Sequence, residues 1–120
     1  MKIIGIGIDV CEFEHIEKKV NNTFAKEILG GNEYAKFLSL TSQKAKMTFF
    51  ASRLAAKNAL FKALSLKRGK NAEFDAYELN NDEYGRPFFE SKKLDDALKI
   101  NLSIANASTF STAYIIITQE

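Results

Sequence analysis

The segment Arg53-Leu-Ala-Ala-Lys-Asn-Ala-Leu-Phe-Lys-Ala-Leu64 decides how this chain is read. At about 100° per residue, Phe50, Leu54, Phe61 and Leu64 fall on one apolar stripe of a helix. Lys57 lies inside that stripe, between Leu54 and Phe61, and Asn58 and Lys62 line its border one turn apart. Burying an unpaired ammonium is strongly unfavourable. Lys57 therefore needs an anion, or a path to water along its aliphatic stem. An anion waiting beside the helix is the more informative expectation.

Working outward, Thr41 or Ser42 supplies an N-cap, so the helix is predicted to run from there to about Ser65. Short helical pieces are predicted at Phe24–Leu29 and Glu33–Leu40, divided by Gly30-Gly31. Near the start, Lys2–Val10 is a β-branched run that reads as a strand ending at Asp9, with Gly5 and Gly7 on one side of it. Glycine there lets another backbone or a ligand come close. Cys11–Val20 reads as a helix with Phe13 and Ile16 facing in. After the basic loop Lys67-Arg68-Gly69-Lys70, a strand is predicted at Glu73–Leu79, then the turn Asn80–Gly85 and a short Pro87-Phe88-Phe89 strand. A brief helix is predicted at Asp95–Leu98. Lys99–Ala105 and Phe110–Thr118 read as a hairpin around Asn106-Ala107-Ser108-Thr109. Helices and an antiparallel sheet are segregated, which makes the fold class α+β.

Composition bounds the function. The 120 residues fit one domain spanning 1–120. Seventeen Lys and Arg against fifteen Asp and Glu give a net charge of +2, too mild to argue for nucleic acid. A local basic patch facing an acidic partner is still allowed. The single cysteine, Cys11, excludes an intrachain disulfide and a cysteine-based zinc cluster, and it fits a reducing compartment. It is most simply a small hydrophobe. No apolar run has the length of a membrane span, and the N-terminal run is too short for a signal peptide. A cytoplasmic protein with no membrane and no nucleic-acid partner is the expectation.

Three separated segments together resemble the holo-acyl-carrier-protein synthase family of phosphopantetheinyl transferases. The first is Gly5-Ile-Gly-Ile-Asp9-Val-Cys-Glu12-Phe-Glu-His-Ile16, similar to the family's opening strand, acidic residue and first helix. The second is the opening segment itself, similar to the family's helix signature, in which Ala-Ala-Lys-Glu-Ala is followed by Lys-Ala. The third is C-terminal: Tyr84-Gly85-Arg86-Pro87 is similar to a Gly-Lys-Pro turn, and Leu102-Ser103-Ile104-Ala105-Asn106 to a Ser-Ile-Ser-His strand end. The resemblance covers nearly the whole chain in the family's order and spacing.

It implies a compact phosphopantetheinyl transferase fold, an antiparallel sheet with one long helix and several short ones. It implies transfer of 4′-phosphopantetheine from coenzyme A to a serine of an apo acyl carrier protein, with Mg2+. Asp9 matches the metal-binding aspartate, and Lys57 and Lys62 match the helix lysines that bind coenzyme A, with Lys62 the better candidate for touching the pyrophosphate. On this resemblance coenzyme A supplies the anion that Lys57 requires. Gly85, Arg86 and Pro87 match a turn that lies against coenzyme A. Such chemistry needs hard oxygen ligands for a divalent cation and fixed positive charge where the leaving phosphate builds up negative charge.

Two positions depart from the pattern. Asn58 stands where a glutamate is expected as second metal ligand and holder of the activating water. An amide oxygen still coordinates Mg2+ but brings neither charge nor basicity. Asn106 stands where a histidine is expected; it keeps a hydrogen bond for a phosphate or the nucleotide but does not titrate near neutral pH. Glu12 is a candidate to lend a carboxylate through water. These departures motivate a second reading, a homologue that binds coenzyme A and carrier protein with turnover weakened or lost. Lys18 and Lys19 are expected to steer the acidic carrier protein. The resemblance also implies a homotrimer with sites at subunit boundaries. Phe110–Ile117, apolar on both faces, is compatible with that assembly.

Overall fold

The structure, a computed structural model, describes residues 1–66 and 72–120. The basic loop 67–70 lies outside the described residues. In chain order the elements are β1 (Lys2–Glu12), α1 (Phe13–Ile16), α2 (Asn22–Ile28), α3 (Gly31–Ser39), α4 (Gln43–Ala63), a 3-10 turn (Phe74–Ala76), β2 (Glu78–Asn81), β3 (Pro87–Glu90), β4 (Lys99–Asn106) and β5 (Phe110–Gln119). β1, β5 and β4 form an antiparallel sheet in that order, and β2 and β3 form a separate antiparallel pair. The α+β expectation holds. Among the described residues no helix is long and apolar enough to cross a membrane.

Helix α4 organises the rest. Ser42, not Thr41, caps it, its Oγ accepting from the Ala45 amide at 3.0 Å. It stops where Ser65 turns left-handed at φ 56° and the Leu66 amide reaches back to the Phe61 carbonyl at 2.8 Å. The predicted stripe is only part of its buried surface. Ala51, Ala55, Ala56, Ala59 and Ala63 are buried as well, so the helix is covered on more than one side.

The alanine side meets β1 at its glycines. A Cβ on Gly7 would lie 1.9 Å from the Ala59 carbonyl oxygen, and one on Gly5 would lie 1.9 Å from that of Ala63. Four helix residues rise about 6 Å and two strand residues about 6.8 Å, so the two repeats stay nearly in step. The glycines admit the helix backbone, as the alternation suggests, and no ligand is needed to explain them. The core continues through Ala113, Ile115 and Ile117 of β5 and through Phe50 and Phe61 toward the short helices.

Four boundary expectations are corrected. β1 does not end at Asp9. It runs on to Glu12 because Cys11 and Glu12 pair with Ser111 and Phe110 of β5. The first helix shrinks accordingly to Phe13–Ile16, although Phe13 and Ile16 do pack inward. The predicted strand at Glu73–Leu79 is a 3-10 turn followed by β2. Phe74 and Tyr77 both bring their rings to 5.0 Å from Phe61, and that packing overrides a β-prone sequence. Asp95–Leu98 is a turn rather than a helix, closed by the Ala97 amide on the Asp95 carboxylate at 2.9 Å.

Candidate active site

Asp9 shares the parity of Gly5 and Gly7 along β1, so its side chain faces α4 one step beyond the closest strand–helix approach. There it meets two helix residues. The Lys62 ammonium donates to Asp9 Oδ1 at 3.1 Å and to the Ile8 carbonyl at 2.8 Å. Asn58 Nδ2 lies 3.3 Å from Asp9 Oδ2. Thr112 of β5 donates its hydroxyl to the Asp9 carbonyl at 2.9 Å, fixing the strand at this residue. The Asp9 side chain is 19% exposed and that of Lys62 is 36% exposed, so the cluster opens to solvent. Glu12 is not part of it. Three residues further along a continuous strand it points to the opposite face, where it lies 3.9 Å from His15.

Lys57 has its anion inside the chain. Its buried ammonium donates to Glu33 Oε1 of α3 at 2.6 Å and to the Ile28 carbonyl at 2.6 Å. Glu33 Oε1 also accepts from the Gly30 amide at 3.0 Å, closing the first turn of α3. Burial pushes the Glu33 carboxyl up and the Lys57 amine down, and each charge opposes the shift of the other. The expectation that coenzyme A supplies this anion is thereby corrected: at zero exposure Lys57 is a core cation with an internal partner.

A second group lies nearer the start of α4. Arg53 and Lys62 are separated by about 13 Å of helix rise. The Arg53 Nη2 donates to Asn81 Oδ1 at 2.9 Å, and Asn81 Nδ2 donates to the Gly85 carbonyl at 2.9 Å. The β2–β3 turn is thus tied to α4. Gly85 has φ 81°, which suits glycine. Asp82 Oδ1 accepts from the amides of Tyr84 and Arg86, and its Oδ2 lies 3.2 Å from Arg86 Nε. These bonds hold the Asp82 carboxyl below the usual range. Asn106, at the end of β4, accepts from the Ser111 hydroxyl at 2.7 Å. With Lys44, Ser42, Phe49, Ser52 and Arg53 it lines a cleft of about 500 Å³ that carries two cations and no carboxylate.

Asp9, Asn58 and Lys62 are therefore brought together. Asn106 stands in a separate cleft, and Gly85, Arg86 and Pro87 form a turn linked to that cleft through Asn81 and Arg53. The sequence reading missed Lys44, Arg53, Asn81 and Glu33. The first residue of the segment quoted at the outset was itself a signal: Arg53 precedes Lys57 by one helical turn, so two cations on one side of a helix called for an acid.

The family model of the 4'-phosphopantetheinyl transferase superfamily matches residues 5–116. The chain belongs to that superfamily. Similar members include the holo-[acyl-carrier-protein] synthases of Anoxybacillus flavithermus, 36% identical, and Bacillus velezensis, 38% identical. Each match covers 96% of this chain and 95% of the relative. Among solved structures, the Bacillus anthracis holo-(acyl-carrier-protein) synthase in complex with CoA (3',5'-ADP) superposes with a TM-score of 0.87. It is 32% identical, with 100% of both chains covered.

Proposed function

We propose that the protein is a holo-[acyl-carrier-protein] synthase, transferring 4′-phosphopantetheine from coenzyme A to a serine of apo acyl carrier protein. The observation that carries the reading is the Asp9–Asn58–Lys62 cluster at the strand–helix contact, in a chain that matches 95% of the length of a relative bearing that name. In the reaction the serine oxygen bonds to the phosphorus nearer the pantetheine and the serine proton is released. The bond from that phosphorus to the bridging oxygen breaks, and adenosine 3′,5′-bisphosphate leaves. Lys62 places a fixed positive charge beside the phosphates as negative charge grows on the leaving group. The cleft with Lys44, Arg53 and Asn106 suits a further phosphate, and the Gly85-Arg86-Pro87 turn is proposed to lie against coenzyme A.

The donor set fits Mg2+, which takes one or two carboxylates and completes its shell with water and substrate phosphates. Asp9 offers a carboxylate, and Asn58 offers an amide oxygen on rotation of its terminal group. Among the described residues no group of three or more His, Cys, Asp or Glu offers an all-protein metal site. Asp9 and Asn58 would hold the ion, which would neutralise phosphate charge and orient the pyrophosphate. The compartment proposed is the cytoplasm, which suits the free thiol Cys11. Lys18 and Lys19, both exposed, are proposed to steer the carrier protein.

The proposed assembly is a homotrimer. It is supported by the outer face of the β1–β5–β4 sheet, where Ile6, Ile8 and Val10 are each more than half exposed, and Tyr114 is 43% exposed. A row of this kind calls for a covering surface. Asn58 favours one further reading, in which the protein binds coenzyme A and carrier protein with little turnover.

The test is mass spectrometry of apo carrier protein incubated with the protein, coenzyme A and magnesium, or manganese. Gain of a phosphopantetheine arm is expected, and no gain after long incubation sinks the transferase reading. Asn58→Glu separates the two readings. A rise in turnover of tenfold or more marks a weakened but working site, and no rise with coenzyme A still bound marks a binding protein.

A further inference from the structure

The charged trio Lys57, Glu33 and Arg53 contains two buried polar atoms without hydrogen-bond partners, Glu33 Oε2 and Arg53 Nε. They face each other at 4.0 Å, between side chains that are 1% and 13% exposed. Such orphans are rare and call for a reason. The other sides of the guanidinium are fixed. Its Nη2 donates to Asn81, its Nη1 lies 3.3 Å from Ser52 Oγ, and its plane sits 4.1 Å from the Phe49 ring centroid. A guanidinium has five N–H groups in a rigid fork. With Nε turned to Glu33, each terminal nitrogen keeps one N–H to spare, and Arg53 lines the cleft with Lys44 and Asn106.

We propose that Glu33 is a positioning residue for coenzyme A binding, acting through Arg53. Its carboxylate is clamped by Lys57 and the Gly30 amide on one oxygen and presents the other to Arg53 Nε, so the fork is aimed before the ligand arrives. This rests on the transferase reading and adds to it a residue that touches neither substrate. Lys57 has the matching part: it holds Glu33 charged and in place, and so acts on the cleft at one remove. Burial works against the Arg53 charge and Glu33 offsets it, consistent with the same arrangement.

The variant Glu33→Gln/Lys57→Met tests this without changing net charge, so long-range electrostatics stay level. Glutamine still accepts from the Gly30 amide, and loss of a buried ion pair as a unit is usually tolerated. Calorimetric titration with coenzyme A is expected to give a Kd raised about tenfold, with kcat at saturating coenzyme A changed less than twofold. On an Arg53→Gln background the same pair of changes should add nothing further, because the route through Arg53 is already cut. An unchanged Kd, or effects that multiply across the two backgrounds, overturns the proposal.

A second variant covers a failure of the first to fold. Arg53→Lys keeps the charge and loses the Nε face, and it should bind coenzyme A as weakly as Arg53→Gln; binding at wild-type strength overturns the proposal. Wild-type protein in the same titrations keeps the two readings apart. No binding there brings down the transferase reading and this one with it. Binding by the wild type with indifferent variants brings down only the role of Glu33.

Discussion

Lys57 and Lys62 lie on one helix, and their surroundings give them opposite duties. Lys62 reaches a half-open cluster with Asp9, whereas Lys57 is sealed against Glu33. Helical periodicity alone revealed that Lys57 is a buried cation in need of an anion. It did not reveal which anion, because Glu33 reads as a surface residue of a short helix and lies far away in sequence. Lys57→Met is expected to destabilise the fold by about 3–5 kcal/mol, since it strands the Glu33 charge in the core. Urea unfolding should show that loss, and adding Glu33→Gln should recover most of it. A single variant as stable as wild type would contradict the internal pairing.

Cys11 offers a pH test at the same scale. Burial, and then the nearby Asp9 charge, push its thiol up to about 11 from an ordinary 9.0. The folded state therefore holds the protonated form more tightly than the unfolded chain does. Its contribution is complete below pH 9 and is lost as pH rises through about 11. Wild-type stability minus that of Cys11→Ala should fall by about 3 kcal/mol over that window. At pH 8 the folded protein should resist thiol reagents that modify the unfolded chain at once. Rapid labelling of the native state would contradict this.

At the scale of elements, the register between β1 and α4 depends on two missing side chains. Gly7→Ala would drive a methyl group into the Ala59 carbonyl, a backbone atom that yields only if the helix moves. The expected cost is about 3 kcal/mol, and transferase activity should fall further than the stability loss explains, because Asn58 and Lys62 move with the helix. Gly31→Ala is the control. Nothing lies within 4 Å of its added methyl group, so the lower entropy of the unfolded chain should stabilise the protein by about 0.5–1 kcal/mol. Both are measured by denaturant unfolding, and equal effects at the two sites would refute the close-packing account.

The elements that were legible in the sequence are those whose pattern is long or whose partner is near: α4, the β4–β5 hairpin and the shared side of Gly5 and Gly7. Most of the misread ones depended on remote partners; the Asp95–Leu98 turn is the exception, closed locally by the Ala97 amide on the Asp95 carboxylate. β5 extends β1 to Glu12, and Phe61 bends Phe74–Ala76 out of a strand. The candidate site divides in the same way. Asp9, Asn58 and Lys62 were found from motif and helix phase. The spacing of Arg53 and Lys57 called for an acid, but which residues answer, Glu33 of α3 and Asn81 of β2, is set by contacts between elements that no spacing encodes.

For the whole molecule, one face of the main sheet rests on α4 and the other presents Ile4, Ile6, Ile8, Val10 and Tyr114 to solvent. On the trimer reading, Ile6→Lys should lower the mass found by light scattering to that of a monomer and weaken coenzyme A binding, while the isolated fold persists. A monomeric wild type at micromolar concentration with binding intact would refute the assembly.

The same sheet joins the two ends of the chain, with Lys2 beside Gln119 and Glu12 beside Phe110. During synthesis, at about 5–20 residues per second, β1 is made roughly 6–20 seconds before β5. Through that interval a β-branched apolar strand has no hydrogen-bonding partner, and α4 has no finished sheet to lie on. The native sheet closes only after the final strand has left the ribosome. A nascent chain stalled before Phe110 should therefore remain protease-sensitive and bind chaperones through Ile3–Val10.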